Sequence, residues 1–173
     1  MRAANSILSS FVALSLVTLL SSSAMAAAVD VTFVEPEHYS DGGGKGGLSD
    51  VPTKETVERE IRNHLVNLGE RNLAPNQTLK IEVLDIDLAG RRDVLGAGVH
   101  DVRVYDQLNS PRIKLRYVLE ENGRAVLNGE ETLTDPLYLN SLARASTGDP
   151  LRYERPMLTK WFLARIVERK PHA

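Results

Sequence analysis

The chain contains no cysteine. A disulfide framework, a thiolate metal site, a cysteine nucleophile and a thioether-linked lipid anchor are therefore excluded. Aromatic residues are scarce, at 5%, with a single tryptophan in 173 residues, so the core must be built mainly from aliphatic side chains. No long unbroken hydrophobic run is present. The most apolar stretch, residues 7–20, is interrupted by Ser9, Ser10, Ser15 and Thr18, whereas a spanning helix needs about 20 apolar residues. Neither sign of charge dominates, with 21 Lys and Arg against 23 Asp and Glu. A balance of that kind lacks the basic excess of a nucleic-acid binder.

The N-terminus carries a recognisable pattern. Arg2 is the only charge before Asp30, the apolar stretch follows it, and Ala24-Met25-Ala26 places small residues at the two positions that signal peptidase reads. Residues 1–26 are read as an export signal cut after Ala26, with Ala28 the next best choice, and residues 27–173 as one domain with no membrane anchor. Removing 26 of 173 residues, Arg2 among them, leaves 147 residues with 20 basic and 23 acidic side chains, a formal net charge of −3. A domain of this size buries roughly two thirds of its unfolded surface, enough for a core without staples.

Local patterns predict the elements. Val29-Asp30-Val31-Thr32-Phe33-Val34 is rich in β-branched residues and ends at Glu35-Pro36, as a strand does. Residues 42–50 form a flexible glycine-rich loop, and its lysine, followed by Gly46, does not match a phosphate-binding loop. Val57, Ile61, Leu65 and Leu68 recur at helical spacing after Pro52-Thr53, with Glu55–Arg59 and Glu58–Arg62 set four apart for ion pairs. In residues 79–88 the alternation changes phase near Val83-Leu84, which implies either a bulge or burial on opposite sides at the two ends. A short strand over residues 102–105 follows a loop carrying Gly90, Gly96 and Gly98. Ile113, Leu115, Tyr117 and Leu119 alternate with Arg112, Lys114 and Arg116, and Asn122-Gly123 is a favoured hairpin turn. The last helix carries Met157, Leu158, Trp161, Phe162 and Ile166 on one stripe, with Pro156 starting or kinking it. This order predicts an α+β fold: a mostly antiparallel sheet of four to five strands with two helices on one face.

Several side chains are candidate binding groups. Asp85 and Asp87 share a strand face and, with Asp93 and Asp101 nearby, offer hard oxygen ligands for a cation. Their structural reading is capping of the Gly90 turn or pairing with Arg91, Arg92 or Arg103. Arg112, Lys114 and Arg116 project from one face and suit an anion, unless acids neutralise them. Across the hairpin, Lys114 faces Glu131 if the turn sets the register, and a bulge at Asn128-Gly129 brings Glu130 opposite Arg116 instead. Tyr153, Trp161 and Phe162 concentrate aromatic area near the C-terminus, as core or as a partner-binding groove. Glu154 is a possible acid or base if buried, or an ion-pair partner of Arg152 or Arg155. The four histidines show no metal-binding spacing, and no nucleophile elbow is present.

Phe33-Val34-Glu35-Pro36-Glu37 with Tyr39-Ser40-Asp41, Asp85-Ile86-Asp87-Leu88-Ala89-Gly90, Pro111-Arg112-Ile113 with Leu115-Arg116-Tyr117, and Tyr153-Glu154 with Met157-Leu158-Thr159-Lys160-Trp161-Phe162 resemble the bacterial family called domain of unknown function 3016. The resemblance implies a small exported protein of Gram-negative bacteria and no assigned activity. Pro156 departs from the pattern, and the glycine-rich loop is expanded. The element order is also similar to envelope lipoproteins that assist outer-membrane transport machines, a fold-level analogy that says little about function. The expected function is therefore a periplasmic, non-catalytic binding or accessory protein, without cofactor, meeting an envelope protein or a small anionic ligand. The alternative is a metal-assisted hydrolase using Asp85 and Asp87.

Overall fold

The β-branched run after residue 27 forms strand β1 (Ala28–Phe33) of a computed structural model that describes residues 27–44, 51–95, 100–142 and 148–171. The expected export signal, most of the glycine-rich loop, and Gly96 and Gly98 lie outside the described residues. Helix α1 (Lys54–Asn72) starts where Thr53 caps it, its hydroxyl accepting the Thr56 amide at 3.2 Å. Val57, Ile61, Leu65 and Leu68 are buried as the spacing predicts. At Gly69 the helix runs so close to β1 that an added Cβ would lie 2.1 Å from a Val29 methyl. The two expected ion pairs are replaced: Arg59 turns to Glu60 at 3.3 Å, and the Arg62 guanidinium lies over the Phe33 ring at 4.9 Å. A ring face gives a guanidinium contact without the full desolvation of a buried pair.

α1 is a crossover that returns the chain to lay strand β2 (Gln77–Asp87) parallel to β1. Beyond the small hairpin described next come β5 (Arg112–Glu121) and β6 (Arg124–Thr134), both antiparallel to their neighbours, in the sheet order β1-β2-β5-β6. The phase change in β2 is a bulge: the register skips Leu84, so Leu79, Ile81, Val83 and Ile86 all face the helices. Asn122 and Gly123 have φ of 51° and 74°, the left-handed pair that a tight hairpin turn requires. The hairpin's own bulge falls at Val126 instead of Asn128-Gly129, and it does bring Glu130 opposite Arg116.

Strands β3 (Arg91–Leu95) and β4 (His100–Val104) form a separate two-stranded sheet. The fold is thus α+β as expected, but its main sheet is mixed, and the short strand does not join it. Gly90 explains the departure. Its φ of 76° turns the chain out of the sheet, and an added Cβ there would sit 2.5 Å from the Val104 carbonyl oxygen.

Helix α2 (Glu154–Trp161) has Pro156 in its first turn, where no helical donor is needed, so the proline starts the helix and does not kink it. A π-helical turn (Phe162–Val167) continues it and keeps Phe162 and Ile166 buried. Both helices and the inner sheet face share one apolar core. Among the described residues no helix is long and apolar enough to cross a membrane.

Candidate functional site

Residues 39–44 leave β1 and run beside the end of β2. The Asp41 amide donates to the Ile86 carbonyl at 2.8 Å, and Asp41 accepts from the Leu88 amide at 3.2 Å. This brings the backbone of Ser40 onto Asp85, whose two carboxylate oxygens accept the Ser40 amide at 2.7 Å and hydroxyl at 2.9 Å. The Tyr39 hydroxyl donates to the Val83 carbonyl at 2.7 Å, and burial pushes its pKa up to about 12. Across from this segment stands the base of the β3–β4 hairpin. Between them lies a polar pocket of about 430 Å³, lined among others by Asp41, Asp87, Gly90, Arg91, Arg92 and Asn109.

Buried charges hold the pocket together. Arg103, with 5% of its side chain exposed, donates to Asp41 at 2.9 Å and to the Ala89 carbonyl at 3.2 Å. The Gly90 amide donates to the Asn109 carbonyl at 2.8 Å. Behind the wall, Glu154 is 2% exposed and accepts the Ala89 amide at 2.8 Å. Burial raises its pKa, opposed by that hydrogen bond and by the charge of Arg103. Tyr153 is buried beside it, edge-on to Tyr138 at 4.7 Å and to Tyr105 at 5.2 Å, with Arg152 stacked over Tyr105. Asp106 closes the neighbouring loop by accepting from the Leu108 and Asn109 amides, which lowers its pKa.

Four residues singled out in the sequence thus meet at one end of the sheet: Asp87 lines the pocket, Asp85 holds its Ser40 wall, and Tyr153 and Glu154 lie behind it. Their partners differ from those expected. Asp87 does not cap the Gly90 turn but pairs with Arg112 at 2.6 Å, because the register sets the two opposite. Glu154 pairs with neither Arg152 nor Arg155, since Arg155 reaches Glu60 and Asp149. Among the described residues no three His, Asp or Glu side chains gather to hold a metal ion.

Two candidates lie elsewhere. Arg116 sits on the outer sheet face between Glu82 and Glu130, both at 2.9 Å, and Lys114 also reaches Glu130 at 2.9 Å. Trp161 is core, 6% exposed and edge-on to Tyr117 at 5.4 Å. Sequence reasoning overlooked the Asp41–Arg103 bridge and Asn109, which come together only through the turn at Gly90.

The family described as a protein of unknown function, DUF3016, matches residues 27–164. No curated protein matches the chain. Among solved structures, a minor lipoprotein from Acinetobacter baumannii matches at 13% identity with a TM-score of 0.28, over 85% of this chain and 98% of that one. A likeness that low carries no argument.

Proposed function

The chain belongs to the DUF3016 family of proteins of unknown function, and from that premise we propose that it is an exported, non-catalytic binding protein of the bacterial envelope whose polar pocket takes a small anionic ligand. The carrying observation is how charge is distributed in the pocket. Its acids are engaged internally, Asp41 with Arg103 and Asp87 with Arg112, whereas Arg92 lines the wall, exposed, with no acidic partner among the described residues. Arg91 stands beside it, shared with Asp93 at 2.7 Å. A guanidinium offers paired donors that suit a carboxylate or phosphate. A binding role is further supported by the local chemistry, since the Ser40 hydroxyl is held by Asp85 and Glu154 is sealed behind the wall. Export is supported by the N-terminal pattern, and β1 begins at Ala28, so cutting after Ala26 spares every described strand.

Thermal melts with phosphate, sulfate, succinate and citrate test the pocket. At least one anion raises Tm saturably in the wild type and much less in Arg92→Ala. No shift with any of them, or an equal shift in the variant, defeats the reading. Melts with calcium, magnesium, manganese or zinc test the alternative: a shift abolished by Asp87→Asn favours a metal-assisted hydrolase using Asp85 and Asp87. Cross-linking in the periplasm followed by mass spectrometry tests for an envelope partner.

A further inference from the structure

The pocket between residues 39–43 and the base of the β3–β4 hairpin measures about 430 Å³. Pockets that hold whole organic molecules span roughly 300–1,000 Å³. A bare inorganic anion on Arg92 would therefore leave most of this volume to water. The rest of the wall decides what the remainder of a ligand must be. Among the described residues no aliphatic side chain lines it, and Tyr39 supplies its one ring. An apolar body there would strip water from polar groups and return no hydrogen bond to them.

Beyond the arginines, the side chains that line the pocket are left with acceptors. Asn109 gives its Nδ2 to both oxygens of Asp106 at 2.8 Å. A carboxylate only accepts, so the amide orientation is fixed and Asn109 Oδ1 has no donor among the described residues. Asp87 meets Arg112 through Oδ2 alone, and its Oδ1 has no donor there either. Asp41 Oδ1 has the Gly43 amide at 3.4 Å, a long contact. Ser40 donates its hydroxyl to Asp85, so toward a ligand it can only accept. Charge narrows the choice further. Arg103 and Arg112 balance Asp41 and Asp87, and Asp93 balances Arg91, which leaves the guanidinium of Arg92 as the uncompensated charge of the lining. Acceptors in a pocket of net positive charge suit neutral hydroxyl donors and disfavour an ammonium group.

We propose that the ligand is a polyol carrying an anionic group, a sugar phosphate or a sugar acid. Its phosphate or carboxylate lies on Arg92, and its hydroxyls donate to Asp87 Oδ1, Asn109 Oδ1 and Asp41 Oδ1. The assignment rests on the anion reading of the pocket and gives the chemical class of its ligand.

Calorimetric titration of the purified protein separates the two readings. The panel is the 6-phosphates of glucose, galactose and mannose together with glucuronate and galacturonate, and phosphate, acetate and free glucose are the matching parts. At least one panel member binds about tenfold or more tightly than its bare anion, the size of one or two net hydrogen bonds. Free glucose binds far more weakly than that compound, and Arg92→Ala weakens every anion. Asp87→Ala brings the sugar compound to within about threefold of its bare anion. In the same variant phosphate binds at least as tightly as in the wild type, because Arg112 has lost its counter-ion, whereas a misfolded variant would lose both ligands. Phosphate binding with no panel member more than about threefold tighter than its bare anion overturns the polyol assignment and leaves the anion reading standing. No binding by phosphate, acetate or any panel member overturns both. Free glucose binding as tightly as its 6-phosphate, or a sugar advantage that survives Asp87→Ala, also overturns the assignment.

Discussion

Glu154, buried, and His64, half-buried, should pull stability in opposite directions with pH. The Glu154 carboxyl is raised by burial, so the folded protein holds that proton more tightly than the unfolded chain. Its contribution is full below the unfolded carboxylate pKa of about 4.3 and is lost as pH rises through the folded value. His64, whose Nε2 lies 2.8 Å from the Thr159 hydroxyl and 3.1 Å from the Arg155 carbonyl, is lowered by burial. Its contribution is present above about pH 6.5 and is lost as pH falls through the folded value. Urea melts between pH 4 and 8 check both signs. Relative to wild type, Glu154→Gln should fall further behind as the solution is acidified, and His64→Gln should catch up. Glu154→Ala strands the Ala89 amide and should cost about 1–3 kcal/mol on the acid side of that range, and less as pH rises. Gly90→Ala should cost about 2 kcal/mol or more, because the left-handed backbone and the Val104 carbonyl both oppose a Cβ. A loss under half of that in a denaturant melt would show that the turn relaxes.

The helix α2 with its π turn is the element on which the core closes, since Met157, Leu158, Trp161, Phe162 and Ile166 all enter it. Trp161→Ala should cost about 3–5 kcal/mol, lost transfer energy adding to a residual cavity. A loss below about 1 kcal/mol would place the ring outside the core's energetics. Elements of this kind were legible from periodicity, because burial imprints a local repeat: the stripe of α1 and the alternation of β5 could be read directly, and the phase change in β2 left a bulge or a change of buried side, between which the register with β5 decides. The Val126 bulge could not be read. Arg124, Ala125, Val126, Asn128 and Gly129 carry no apolar phase to break, so only pairing with β5 places it. The departure of β3 and β4 from the sheet was hidden for a similar reason, depending on one backbone angle at Gly90. Half the candidate site was legible as residue types, in Asp85, Asp87, Tyr153 and Glu154. The rest was not, because Asp41 and Arg103 are distant in sequence and meet through tertiary packing alone.

At the scale of the molecule, the core joins four strands and two helices, and among the described side chains none of the β3–β4 hairpin enters it. Opening that hairpin should therefore leave the core closed. Hydrogen exchange should be fast in β3 and β4 and slowest in β2 and β5, and mass spectrometry of peptides can compare them. Equal protection would mean that the Arg103 anchor couples the hairpin to global unfolding. The intact mass of protein recovered from the periplasm should correspond to a chain beginning at Ala27, and a mass retaining residues 1–26 would overturn the export reading.

The position of α2 after every described strand has a consequence for the order of events during synthesis. Tyr117 and Leu133 take their cover from Trp161 and its neighbours, so a nascent chain that has already paired β5 with β6 still shows water an open apolar sheet. Burial becomes complete only when residues 157–166 arrive. A polypeptide released before Met157 would carry nearly all of its strands and no lid for them. It should be prone to stick to other chains or to be degraded.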